Sequence, residues 1–92
     1  MIKVVLPTQL DSYTDGEREL ELDFGAQSTL TLHDVVQALD QRYRGLAFRI
    51  VDEHKRIRRH IAVFVGEDMV RDLSVALRGN ERVQIVGALS GG

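Results

Sequence analysis

Apolar and polar residues alternate near both ends of the chain, and apolar residues recur at helical spacing once between them. In residues 2–6, Ile2, Val4 and Leu6 share one face and Lys3 and Val5 the other, the pattern of a largely buried strand. Pro7, the only proline, ends it because it cannot donate to a ladder. Residues 10–18 are polar, with a turn signal at Asp15-Gly16. Strict alternation follows over residues 19–24: Glu19, Glu21 and Asp23 face water, and Leu20, Leu22 and Phe24 a core. The two segments are expected to pair as a hairpin with a long loop. After a polar connector, Thr31 is placed as an N-cap with Asp34 three residues on, an acidic relative of the capping box. Leu32, Val35, Val36, Leu39 and Tyr43 then form one apolar stripe. Arg42 and Arg44 suit the last turn, and Gly45 stops the helix.

The second half is strand-rich. Residues 46–51 are apolar and fit either type of element; residues 52–59 are a charged excursion. Residues 61–65 read as a strand, Gly66-Glu67-Asp68 as a turn, and Met69-Val70 as a short return strand. Residues 73–77, entered by Asp72 and left at Gly79, are expected to make one helical turn. Gly79-Asn80 then turns the chain into a last strand, with Val83 and Ile85 on one face and Gln84 and Val86 on the other. Strands from both ends around one main helix predict an α+β class: a mixed sheet of four to five strands covered on one face. The β-grasp arrangement fits, with the first and last strands adjacent and parallel in the middle. The expected organisation is a single domain over residues 1–92, with residues 87–92 leaving the sheet as a flexible arm.

Composition narrows the function classes. The chain has 92 residues, enough for one modest core. Its formal charge is −2, diffuse and acidic, which argues against a dedicated nucleic-acid binder. Cysteine is absent, so disulfides, thiolate metal sites and a cysteine nucleophile are excluded. No apolar run approaches the ~20 residues of a membrane helix, and the first seven residues do not make a signal peptide. A cytoplasmic location without membrane attachment is the expectation.

Catalytic constellations are weak. There is no Gly-rich phosphate loop and no His-Glu-x-x-His zinc motif, and His33, His54 and His60 stand at unrelated spacings. His33 is expected to be a solvated residue of the first helical turn, and neither a metal site nor a bound cofactor is expected. The run His54-Lys55-Arg56-Ile57-Arg58-Arg59-His60 suits an anionic docking surface. The reading favoured here is a solvated loop whose cations protect an edge strand, since no aromatic residues interleave for base stacking. On the sheet face away from the helix, Val5, Phe64 and Val86 make either an exposed partner-binding patch or a surface covered by residues 46–51. The last two residues, Gly91-Gly92, end an arm that, lacking Cβ atoms there, can thread a narrow site; a frayed tail is the alternative.

These separated features together resemble the MoaD/ThiS family of ubiquitin-like sulfur carriers over almost the whole length. Leu6-Pro7-Thr8 with Tyr13-Thr14-Asp15-Gly16 looks like the family's first hairpin, and Tyr43-Arg44-Gly45-Leu46 like its helix exit. Arg58-Arg59-His60-Ile61-Ala62-Val63-Phe64-Val65 looks like its third strand, and Val83-Gln84-Ile85-Val86 leads to the terminal glycines. The long first loop is most like the molybdopterin-type or CysO-type members. Ala88-Leu89-Ser90 stands where a smaller Ala-Val-Ala run is common, and Gly66 where the family often has Asn followed by Gly.

The resemblance implies a carrier, not an enzyme. A ThiF/MoeB-like adenylating enzyme, using ATP with Mg, would activate the Gly92 carboxylate, and sulfur would then convert it to a thiocarboxylate. A sulfur-accepting partner enzyme in cofactor, cysteine or tRNA-thiolation biosynthesis would take the cargo. On this reading Gly91 and Gly92 give access and reactivity, while Val5, Phe64, Val86, Ala88, Leu89 and Ser90 meet partners. The alternatives are a protein modifier, joined through Gly92 to lysines, and a plain interaction module.

Overall fold

In a computed structural model, which describes residues 1–26 and 29–87, the first alternating segments become β1 (Ile2–Val5) and β2 (Glu19–Leu22). They pair antiparallel, with Val4 opposite Leu20. Their connection is ordered by a 3₁₀ turn, Thr8–Leu10, and a one-turn helix, α1 (Asp11–Thr14). It closes at Asp15 (φ 54°) and Gly16 (φ 80°), as the turn signal predicts. A long loop is thereby anchored by its own backbone hydrogen bonds.

The main helix, α2 (Leu32–Arg42), starts where its cap predicts. The Asp34 carboxylate accepts the Thr31 N–H at 2.9 Å, and the reciprocal bonds make a complete capping box. Leu32, Val35, Val36 and Leu39 are buried, and Tyr43 nearly so, in one core with the inward residues of the sheet. Tyr43 also donates its hydroxyl to Glu17 and accepts from Arg42 Nε at 3.2 Å, tying the helix exit to the first loop. Burial, then the bond to Glu17, raises the Tyr43 hydroxyl above its ordinary pKa. Gly45 (φ 91°) turns the chain into α3 (Leu46–Ile50), whose Leu46 and Ile50 are buried.

β4 (Ile61–Val65), β5 (Asp68–Val70) and β7 (Arg82–Gly87) complete the main sheet, in the order β2-β1-β7-β4-β5. β1 and β7 are parallel neighbours in the middle, the β-grasp arrangement expected from the sequence. Ile2, Val4, Val83, Ile85, Ile61 and Val63 point to the helix side and are buried; Leu22, Phe24 and Val65 pack against the same core while partly exposed.

Two expectations are corrected. Residues 73–77 do not form a helical turn: β6 (Ala76–Leu77) pairs antiparallel with β3 (Leu30–Thr31). The reason lies in the start of α2, whose unpaired N–H groups need acceptors. The carbonyls of Val75 and Leu73 take the N–H groups of Leu32 (3.0 Å) and His33 (2.9 Å), which holds residues 73–77 extended. Nor does the basic run protect an edge strand, because β4 lies between β7 and β5. The edge at β2 is instead guarded by Glu19 and Glu21.

Entry into β7 is fixed by one carboxylate. Glu81 accepts the backbone N–H groups of Arg78 (2.6 Å), Gly79 (2.9 Å) and Asn80 (3.1 Å). Desolvation pushes its pKa up, but the combined backbone donors outweigh that and leave it lowered. A lowered folded value means that stability is fully present above the unfolded value of about 4.3 and is lost as pH falls through the folded one. Glu81→Gln is therefore expected to lose about 1 kcal/mol near neutral pH, after discounting for solvent screening. It should also flatten the decline in melting temperature below about pH 4.5. Thermal unfolding followed against pH checks both.

Candidate functional site

The outer face of the sheet follows from strand register. Val5 lies opposite Gln84, Gln84 opposite Phe64, and Phe64 opposite Met69, one row across four strands. The next row pairs Ala62 with Val86. The structure thus brings the predicted Val5, Phe64 and Val86 onto one surface and adds Ala62 and Met69. Met69 is 57% exposed and Val86 36%, while Val5 and Phe64 are half-buried by their neighbours. Residues 46–51 do not cover this face, since α3 packs beside α2 with Leu46 and Ile50 in the core. Met69 escaped the sequence reading because its side of the sheet depends on hairpin register, although its place opposite Phe64 was open to inference from the short Gly66-Glu67 turn.

The rim of the patch is polar. Lys3 Nζ pairs with Glu19 at 2.9 Å, which lowers the Glu19 pKa by hydrogen bonding and then by charge. Gln84 stands in the middle of the patch, able to donate and accept. An apolar surface of this kind, with a polar rim and a single amide inside it, suits protein docking.

The same strand leads into residues 88–92. Val86 is followed by Gly87, which the sequence reading assigned to the arm but which ends β7 opposite Ile61. Gln9 Nε2 donates to the Gly87 carbonyl at 3.2 Å. A Cβ at residue 87 would come within 2.9 Å of Gln9 Cδ, so glycine allows this close approach. Ala88, Leu89, Ser90, Gly91 and Gly92 lie outside the described residues. Gln9 gave no sequence signal, being one polar residue in a polar loop.

The histidines do not gather. His33 is half-buried on α2, His54 lies 3.7 Å from Glu53, and His60 is exposed. Among the described residues no group of three His, Cys, Asp or Glu could hold a metal ion. No helix among them is long and apolar enough to cross a membrane.

The sequence model of the ThiS family matches residues 4–92. A chain in the crystal structure of the Amycolatopsis orientalis BexX/CysO complex is 26% identical, covers 100% of both chains and superposes with a TM-score of 0.83. Mycobacterium tuberculosis CysO is 26% identical over 97% of this chain and 100% of its own, with a TM-score of 0.80. SAMP1 from Haloferax volcanii, 21% identical over 99% and 98% of the two chains, shares the fold with a TM-score of 0.80. No curated protein shows significant sequence similarity.

Proposed function

The chain belongs to the ThiS family of ubiquitin-like sulfur carriers, and from that premise we propose that its Gly92 carboxylate is the atom group that carries sulfur. It is a small carrier and not a catalyst. The observation that supports this reading best is the shared strand: β7 holds Val86 of the apolar sheet face and, one residue later, the root of the glycine-ended segment. A protein docked on the face receives the arm at a fixed place.

The chemistry needs help from outside the chain. A carboxylate is anionic and resonance-stabilised, hence a poor electrophile. Attack of the Gly92 carboxylate on the α-phosphate of ATP, within a ThiF/MoeB-like enzyme that binds ATP and Mg, gives an acyl-adenylate and releases pyrophosphate. Sulfide delivered by a donor then forms the C–S bond and displaces AMP. The resulting thiocarboxylate presents a soft nucleophilic sulfur to an accepting enzyme. This domain contributes placement: Val5, Phe64 and Val86, with Ala62 and Met69, dock the partner, and residues 88–92 enter its site.

The test is a tandem mass spectrum of the C-terminal peptide after incubation with ATP, sulfide and the adenylating enzymes of the native host. The peptide is required because oxidation of Met1 or Met69 has the same nominal mass change as replacing oxygen by sulfur. Sulfur on Gly92 is the expected result. Free carboxylate throughout, with isopeptide adducts on target lysines, would instead make the chain a protein modifier; free carboxylate without adducts would leave an interaction module.

A further inference from the structure

The basic run at residues 54–60 is divided by the fold into two parts. Ile57 is buried and bridges to Val51, and Arg58 stacks its guanidinium 4.7 Å from the centre of the Phe48 ring while donating Nε to the Phe48 carbonyl at 2.7 Å. Those residues fasten the loop to α3. Lys55 and Arg56 do something else. Lys55 takes a left-handed conformation (φ 61°) at a turn closed by Asp52. Neither cation forms an ion pair among the described residues.

Both cations border a trough on the helix side of the molecule. One cavity of about 330 Å³ lies between α2 and α3, over Val36, Ala47, Val51 and Leu73, with Phe48 beside it. A second, of about 730 Å³, adjoins it and adds Arg56 and Arg71. His33, Lys55 and Leu73 line both, so the two are neighbours along one trough. Phe48 is 55% exposed, and the Arg58 stack holds its ring in place.

Three carboxylates, Asp40, Asp52 and Asp72, also line the trough, and one oxygen of each is engaged by neighbouring groups. Asp40 accepts the N–H groups of Gly45 and Ala47 at 3.1 and 3.0 Å, and Asp52 those of His54 and Arg56 at 2.8 and 3.0 Å. Asp72 accepts both the N–H and the hydroxyl of Ser74, at 2.9 and 2.8 Å. The second cavity holds Lys55, Arg56 and Arg71 against Asp72 alone, whose Oδ1 is taken up by Ser74, and the heads of Lys55 and Arg56 form no ion pair among the described residues. An apolar floor with a cationic end complements one kind of occupant.

We propose that this trough docks an acidic segment of a partner protein through one large apolar side chain. The apolar residue seats between α2 and α3 beside Phe48, and flanking carboxylates meet Lys55, Arg56 and Arg71. A cavity of this size suits such an anchor. Nucleic acid fits less well, because Phe48, the one Phe or Tyr ring lining the trough, is already stacked by arginine and the floor is aliphatic. The trough lies on the helix side and the Phe64 patch on the opposite face of the sheet. One protein can therefore hold the chain while another receives the arm.

The proposal does not depend on the chemistry of Gly92, and its test uses the full chain. Peptides selected from a random phage-displayed library on the immobilised protein are expected to combine Asp or Glu with a Leu, Ile or Phe. Their synthetic versions should weaken tenfold or more against Phe48→Ala and against the double variant Lys55→Glu/Arg56→Glu, and weaken as salt rises. Phe64→Ser should leave their affinity unchanged. The substituted positions at 48, 55 and 56 are exposed, and circular dichroism verifies folding. Selected peptides without acidic bias, peptides displaced by Phe64→Ser instead, or an empty selection would overturn it. So would a concentration-dependent dimer lost in Phe48→Ala, which would make the occupant a second copy.

Discussion

Removal of Gly92 is expected to cut thiocarboxylate formation by 100-fold or more while leaving the melting temperature unchanged. The shortened chain still ends in glycine, at Gly91, so the loss would come from position and not from carboxylate chemistry. One residue fewer withdraws the carboxylate by up to about 3.4 Å, and a misplacement of 1 Å can cost roughly 100-fold. Gly91→Trp should be equally inactive for a different reason, since an indole cannot follow where a residue without Cβ passes. Both positions lie beyond the last sheet residue, Gly87, so stability should hold within about 0.5 kcal/mol. The checks are the C-terminal peptide spectrum and a thermal melt on the same samples. Normal sulfur loading of the chain lacking Gly92 would remove Gly92 from the mechanism, and normal loading of Gly91→Trp would remove the narrow passage.

The second large effect concerns the sheet face. Phe64→Ala should raise the KM of the adenylating enzyme for this chain roughly 10–30-fold with little change in kcat. Truncating a central aromatic of an interface typically costs about 1.4–2 kcal/mol or more, and that binding is lost equally from ground and transition states. Phe64 sits in the middle of the row Val5-Gln84-Phe64-Met69, while Met69 stands at its edge on β5, so Met69→Ala should have the smaller effect. Steady-state pyrophosphate release measures both. Phe48→Ala is the matched control, an exposed aromatic removed from the opposite side. An unchanged KM for Phe64→Ala would move the docking surface elsewhere.

The parts of this fold that were legible in the sequence are those fixed by local chemistry. Thr31 and Asp34 announce the start of α2 because a capping box is complete within four residues. The alternation in residues 2–6 and 19–24 settles which side chains face the core. The central parallel pair of β1 and β7 follows from element order, and the structure has it. The misreadings arise where a distant partner decides. Residues 73–77 carry a helix-like apolar spacing, but their carbonyls are claimed by α2 and their strand by β3. The cations of residues 54–60 suit the guard of an edge strand on local grounds alone, because nothing local shows that β5 pairs beyond β4. The candidate site was partly visible: Val5, Phe64 and Val86 follow from period two, whereas Met69 and Gln9 needed register and loop packing.

The pairing of Gly87 with Ile61, together with the Gln9 bond to its carbonyl, gives the molecule a datum point. Five residues follow it, 88–92, and five residues at full stretch span at most about 18 Å. On the proposed function the domain would work as a depth gauge: its body would stop against the partner at the Phe64 face, and the Gly92 carbon could be delivered no deeper than that length. Any enzyme that serves this chain must place its nucleotide or its sulfur acceptor within the same distance of the docking floor, and insertions between Val86 and Gly92 would recalibrate which enzymes it can reach.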